Sequence, residues 1–194
     1  MEITSVQLKE LRDKTGISVM QCKRALEEAE GDMEKAVIIL KKKRSEAADK
    51  KSDRALGAGA VGAYIHNTNE VAAMVLLSSE TDFVSKNEEF IALAREIAMQ
   101  VAATDPKYIS REDVPEEAIN KAKEVFVKEV EDKPADMQEK ILEGKLASYF
   151  KDMILLEQPS VKNPDTTIRE MVTGAVQKFG ENVTVSTISR VSVK

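Results

Sequence analysis

The sequence predicts an α+β protein. A small N-terminal three-helix module is followed by a helix-rich core with a roughly three-stranded antiparallel sheet. Three observations predict it. Capping signals followed by apolar residues at helical spacing recur three times within the first 40 residues. Two runs of small or β-branched residues, 58–66 and 71–79, flank Asn67-Thr68-Asn69, the pattern of a hairpin with an Asn-rich turn. The tail alternates Val183, Val185, Thr187, Ser189, Val191 and Val193, which is strand periodicity. A late strand most economically joins an existing hairpin, and helices then cover the sheet. The expected division is a module plus helical connector over 1–54 and an α+β core over 55–194.

In chain order, Thr4-Ser5-Val6-Gln7 has the capping-box spacing, in which hydroxyl and amide each satisfy a free backbone N–H. Leu8 and Leu11 then share a face, and Gly16 supplies a left-handed stop. Ser18 to Gln21 repeats the cap, Cys22, Leu26 and Ala29 follow, and Gly31 stops the second helix. Asp32 caps the third, whose apolar positions are Met33, Ala36, Val37 and Leu40. Lys41 to Arg44 and the polar stretch to Arg54 read as a solvated helical connector. In the hairpin the second strand, Val71 to Leu77, is apolar on both faces and is expected to be the more buried.

Helices return after the hairpin. Ser85-x-x-Glu88 is the expected cap of one carrying Phe90, Ala94, Ile97 and Val101, ending before Asp105-Pro106. Pro115 suits the first position of the next. Lys133-Pro134 separates it from a longer helix carrying Met137, Ile141, Leu146, Phe150, Met153 and Leu156. Thr167-x-x-Glu170 opens the last helix, which Gly180 stops.

Composition excludes several classes of function. The 194 residues carry a formal net charge of −5, so this is no overall basic coat for nucleic acid. One cysteine and one histidine exclude an intrachain disulfide framework and any Cys/His zinc cluster. No run approaches the roughly 20 apolar residues of a membrane helix, and the first residues show no secretion signal. The expectation is a protein of a reducing cytoplasm without a cofactor.

Some motifs resolve against chemistry. Gly57-Ala58-Gly59-Ala60-Val61-Gly62 spells a dinucleotide fingerprint, but a charged connector precedes it and a strand follows, which inverts the required context. Close strand packing is the better reading of these small residues. His66 stands at a turn, and Cys22 reads as a small core residue. Asn182-Val183-Thr184 spells a glycosylation triplet with no secretion signal to give it meaning. Asp82-Phe83 stands out more. An aromatic directly beyond a strand either projects from a loop on a rigid scaffold or folds back into the core. Val19 and Met20, in the first turn of the second helix, either pack internally or offer an adaptable apolar patch.

Three motifs in order resemble the elongation factor Ts family. Leu11 to Leu26, continued by Gly31-Asp32-Met33-Glu34-Lys35-Ala36, is similar to the family's ubiquitin-associated-like head. Thr81-Asp82-Phe83-Val84 matches its most recognisable tetrapeptide, placed after the hairpin. Glu143-Gly144-Lys145-Leu146 through Leu155-Leu156-Glu157-Gln158-Pro159 matches a third. The family often ends in an Arg/Phe-rich strand, where Ser186 to Val191 here is polar. The resemblance is to the short form, with one core module and no inserted coiled coil.

That resemblance implies a guanine-nucleotide exchange factor for elongation factor Tu, not an enzyme in the covalent sense, working as a homodimer through its core. It implies that Thr81, Asp82, Phe83 and Val84 dislodge the partner's Mg²⁺ and that Val19 and Met20 grip its nucleotide domain. The core and the 146–159 region would hold the rest of the partner or the second subunit. Two other functions compete: a ribosome- or RNA-associated module using Lys41 to Arg44, and a dinucleotide enzyme using the glycine run. The exchange reading expects no direct contact with nucleic acid and no membrane.

Overall fold

In the computed structural model, residues 3–131 and 134–193 are described. The helices are α1 (Ser5–Thr15), α2 (Val19–Glu28), α3 (Met33–Asp49), α4 (Asp82–Ser85), α5 (Glu88–Thr104), α6 (Glu116–Val130), α7 (Ala135–Lys151) and α8 (Ile168–Phe179). The strands are β1 (Ala58–Ile65), β2 (Val71–Ser79) and β3 (Val183–Ser192). The chain divides into two compact units. One holds the stretch up to Ala55 together with Thr173–Asn182; the other holds Leu56–Val172 and the stretch from Val183 onward.

In the first unit the local signals act as written. The Thr4 hydroxyl accepts from the Gln7 N–H at 3.2 Å while the Thr4 N–H donates to Gln7 Oε1 at 3.0 Å. Gly16 ends α1 at φ +66°, a conformation that a Cβ makes costly. Ser18 caps α2, and Asp32 caps α3 by accepting from the N–H groups of Glu34 and Lys35. Leu11, Cys22, Leu26 and Leu40 form the interior.

The connector differs from expectation. Helix α3 runs through the basic residues without interruption and ends at Asp49. Lys43 pairs with Glu28. Arg44 is half-buried, its Nε donating to Gln177 Oε1 at 3.1 Å and its Nη2 to the Thr15 carbonyl at 3.2 Å. The Asn182 amide, buried, donates to the carbonyls of Ser52 and Arg54. The run is therefore partly a structural clamp on the C-terminal half of α8, joining residues far apart in sequence.

The second unit is built on an antiparallel sheet in the order β1-β2-β3. Helix α5 covers one face. The approach is close at Gly62: a Cβ there would lie 2.1 Å from the Ala94 carbonyl carbon. Phe90, Ala94, Ile97 and Val101 of α5 are buried, as are Ala73, Val75 and Leu77 of β2. The small residues of the glycine run are thus what lets a helix lie directly on β1.

Strand β3 departs from simple alternation. Leu77 pairs with Val185 but Leu76 with Thr187, leaving Ser186 as an extra residue, a bulge that reverses which side chains face inward. The Ser186 and Ser78 hydroxyls meet at 2.7 Å. Before the bulge Val183 and Val185 are buried; after it Val191 is exposed and Arg190 turns in to donate to the Ala102 carbonyl at 3.1 Å.

Three helix boundaries shift. Asn87, not Ser85, caps α5, accepting from the Glu89 N–H at 2.9 Å, because Ser85 is already used in α4. Pro115 occupies the cap of α6 rather than its first turn. Helix α7 stops at Lys151, so Met153 and Leu156 lie in the turn beyond it. Pro134 directly precedes α7, while Lys133 falls outside the described residues. Helices α6 and α7 run antiparallel, with Phe126 edge-on to Tyr149 and Lys145 2.6 Å from Glu129. Arg111 forks onto both carboxylate oxygens of Glu157 at 2.9 Å beside them. Thr167 and Glu170 exchange hydrogen bonds at the start of α8, and Gly180 follows its end at φ +74°.

Candidate partner-binding site

The site grows out of the end of β2. Ser79, fully buried, donates from its hydroxyl to the Thr81 carbonyl at 3.0 Å, and the chain turns there into α4. This one-turn helix replaces the loop that the sequence suggested. Val84 and Ser85 are buried and anchor it, and the Ser85 hydroxyl donates to the Asp82 carbonyl. With Val84 held inward, Phe83 is forced outward: it is 85% exposed. Of the two readings of Phe83, folding back into the core is excluded. A phenyl ring held in water on an anchored turn forgoes about 1.5–3 kcal/mol of burial.

Asp82 lies beside it, also exposed, and Lys86 Nζ stands 2.6 Å from its Oδ2. That pairing holds the Asp82 carboxyl below the usual carboxylate range. A depressed carboxylate pKa means that, on the acid side, the pair is lost only as the pH falls through the folded-state value.

In the first unit, Val19 and Met20 open α2 after the Gly16 turn. They are 48% and 62% exposed, so internal packing is not their role. Cys22, one turn on, is buried. His66 is exposed, with the Tyr64 hydroxyl 3.2 Å from its Nδ1. Among the described residues no group of three or more metal-ligating side chains gathers anywhere. No described helix is long and apolar enough to cross a membrane. Within the 146–159 segment, Phe150, Ile154, Leu155 and Gln158 face inward, so much of it supports the core rather than offering a free surface.

Sequence reasoning missed two features. Lys86 was signalled by its spacing four residues after Asp82. The second is the far face of the sheet. Val61, Ile65, Met74 and Val191 are all exposed there, although β2 is, as expected, the more buried strand of the hairpin. The register sets them in rows: Ile65, Ala72 and Val191 across all three strands, then Ala63 and Met74, then Val61 and Leu76.

These features define a class: an α+β protein whose candidate site residues are an exposed aromatic beside a paired charge in one unit and exposed apolar side chains in the other. Comparison with known proteins gives the family. Residues 47–194 match the family model described as Elongation factor TS. The chain is 50% identical over 185 residues to "Elongation factor Ts" of Carboxydothermus hydrogenoformans, covering 94% of this chain and 85% of that one. It is 46% identical to that of Thermodesulfovibrio yellowstonii, covering 100% and 97%, and 43% identical to that of Thermotoga neapolitana, covering 100% and 98%. The chain belongs to the elongation factor Ts family, and with it to the elongation factors of protein synthesis.

Proposed function

We propose that this protein is a guanine-nucleotide exchange factor for elongation factor Tu, acting in the cytoplasm by displacing GDP and Mg²⁺ from that GTPase and making no covalent change to either. The observation that carries this reading is Phe83, held out from an anchored turn beside Asp82. Family membership supplies the partner. In this reading the Thr81–Val84 turn enters the partner beside its nucleotide, the module over 1–54 grips the partner, and the core over 55–194 holds the turn.

Exchange is a coupling between two ligands of one protein. The factor weakens GDP by as much as GDP weakens the factor. Weakening by 10³–10⁴ needs roughly 4–5.5 kcal/mol of differential binding. Burying one phenyl ring gives about 1.5–3 kcal/mol, so Phe83 needs a second contact. Val19 and Met20 are suited to supply it, being exposed, apolar and on a different unit from Phe83. Replacing both by Ala is expected to weaken the complex with nucleotide-free elongation factor Tu by about tenfold or more, equivalent to roughly 1.4 kcal/mol. Calorimetric titration checks it, and an unchanged affinity would remove the head from the interface.

The core is proposed to pair with a second copy of itself. The support is the open sheet face, with Val61, Ile65, Met74 and Val191 in rows that no element of the described chain covers. A contiguous apolar face of this kind marks an interaction surface. Light scattering is expected to give twice the 21.5 kDa chain mass. Val61→Glu with Met74→Glu is expected to halve it, since each copy would bring two carboxylates into the interface and the pair would bury four like charges.

A further inference from the structure

We propose that Lys86 is a positioning residue of the exchange turn: it holds the Asp82 carboxylate in a neutral, pre-aligned ion pair so that Asp82 and Phe83 enter an anionic nucleotide site together. The proposal rests on the exchange reading. Its geometry is direct. Lys86 Nζ lies 2.6 Å from Asp82 Oδ2, one helical turn away, with the carboxylate on the N-terminal side, the better orientation for such a pair. Both side chains are mostly exposed, and an exposed pair of this kind adds almost nothing to folding. It is also confined to the short turn that carries the exposed Phe83.

Charge explains what the pair does. Phe83 is the next residue after Asp82 on the one-turn helix, so a partner crevice that takes the ring brings the carboxylate to its rim. A nucleoside diphosphate keeps net negative charge even with its Mg²⁺ bound, so the crevice holding it is anionic. A bare carboxylate carried into it meets like charge in a medium that screens poorly. Carried in as a pair with Lys86, it arrives neutral. Lys86 also restricts the carboxylate to one side of the turn, so that Phe83 leads. A carboxylate is ionised at neutral pH with or without this pairing, so its charge is offset by the Lys86 ammonium 2.6 Å away and not by a proton.

The test uses the full chain and purified elongation factor Tu loaded with fluorescent GDP, following release against factor concentration. Lys86→Met is expected to lower the maximal release rate about fivefold. The half-saturating concentration should stay within twofold, because first contact is made elsewhere. Lys86→Arg is expected to restore the rate to within twofold of the parent chain. In an Asp82→Asn background, Lys86→Met should have no further effect, since no carboxylate remains to neutralise. Thermal unfolding of every variant should match the parent. A Lys86→Met rate equal to the parent's, an equal loss with and without Asp82, or failure of Arg to rescue overturns the proposal while leaving exchange intact. Failure of the parent chain itself to accelerate release overturns the exchange reading, and the role of Lys86 with it.

Discussion

Phe83→Ala is expected to cut the acceleration of GDP release from elongation factor Tu by at least tenfold, with the fold unchanged. The ring is almost fully solvated in the free protein, so its removal takes away no internal contact of consequence, and surface changes of this kind fall within about 0.5 kcal/mol of stability. Whatever the ring contributes, it contributes in the complex. Burial of a phenyl side chain is worth about 1.5–3 kcal/mol, and each 1.36 kcal/mol is tenfold in rate. The expected loss is therefore roughly 10- to 150-fold, read by stopped-flow release of fluorescent GDP beside a thermal melt. Phe83→Leu should fall between, since it keeps apolar volume and loses the flat ring. Parent-like rates for Phe83→Ala with an unchanged melt would exclude the ring from exchange.

Gly62→Ala is expected to have the opposite profile, a large loss of stability at a position that is not proposed to touch any partner. The new Cβ would lie 2.1 Å from the Ala94 carbonyl carbon, 2.2 Å from its oxygen and 2.5 Å from the Arg95 nitrogen. These are backbone atoms, so no rotamer change relieves the clash, and α5 must lift from β1. Overpacking costs about 1–3 kcal/mol where side chains give way; a helix carrying Phe90, Ala94, Ile97 and Val101 into the core has more to lose. About 3 kcal/mol is expected, a large share of the 5–15 kcal/mol that holds a domain together, and seen as a fall of roughly 10 °C in the unfolding midpoint. Gly144, in α7, is the internal control: a Cβ there meets nothing within 4 Å, so Gly144→Ala should hold or raise the midpoint.

What was legible in the sequence was local. Thr4 with Gln7, Ser18, Asp32, and Thr167 with Glu170 announce helix starts because the cap and its target N–H lie within three residues. The hairpin and its Asn turn are local for the same reason, and Asn69 takes the left-handed conformation that Asn tolerates. What was not legible depends on partners distant in sequence. Arg44 leaves solvent because Gln177 stands against it, 133 residues on. Ser186 becomes a bulge only through its pairing across β2. Ser85 and Asn87 are both acceptable caps, and Asn87 prevails because Ser85 is drawn into a turn that Val84 anchors. That anchoring also decides the site. Four residues do not make a stable helix alone, so neither α4 nor the outward course of Phe83 followed from the sequence, which left burial and projection balanced.

The exchange reading meets its most direct test when the parent chain is added to elongation factor Tu carrying fluorescent GDP and Mg²⁺. Release is expected to speed up by several hundredfold or more as the factor is titrated, and to saturate. Release at the spontaneous rate, at factor concentrations well above those of the GTPase, would contradict it.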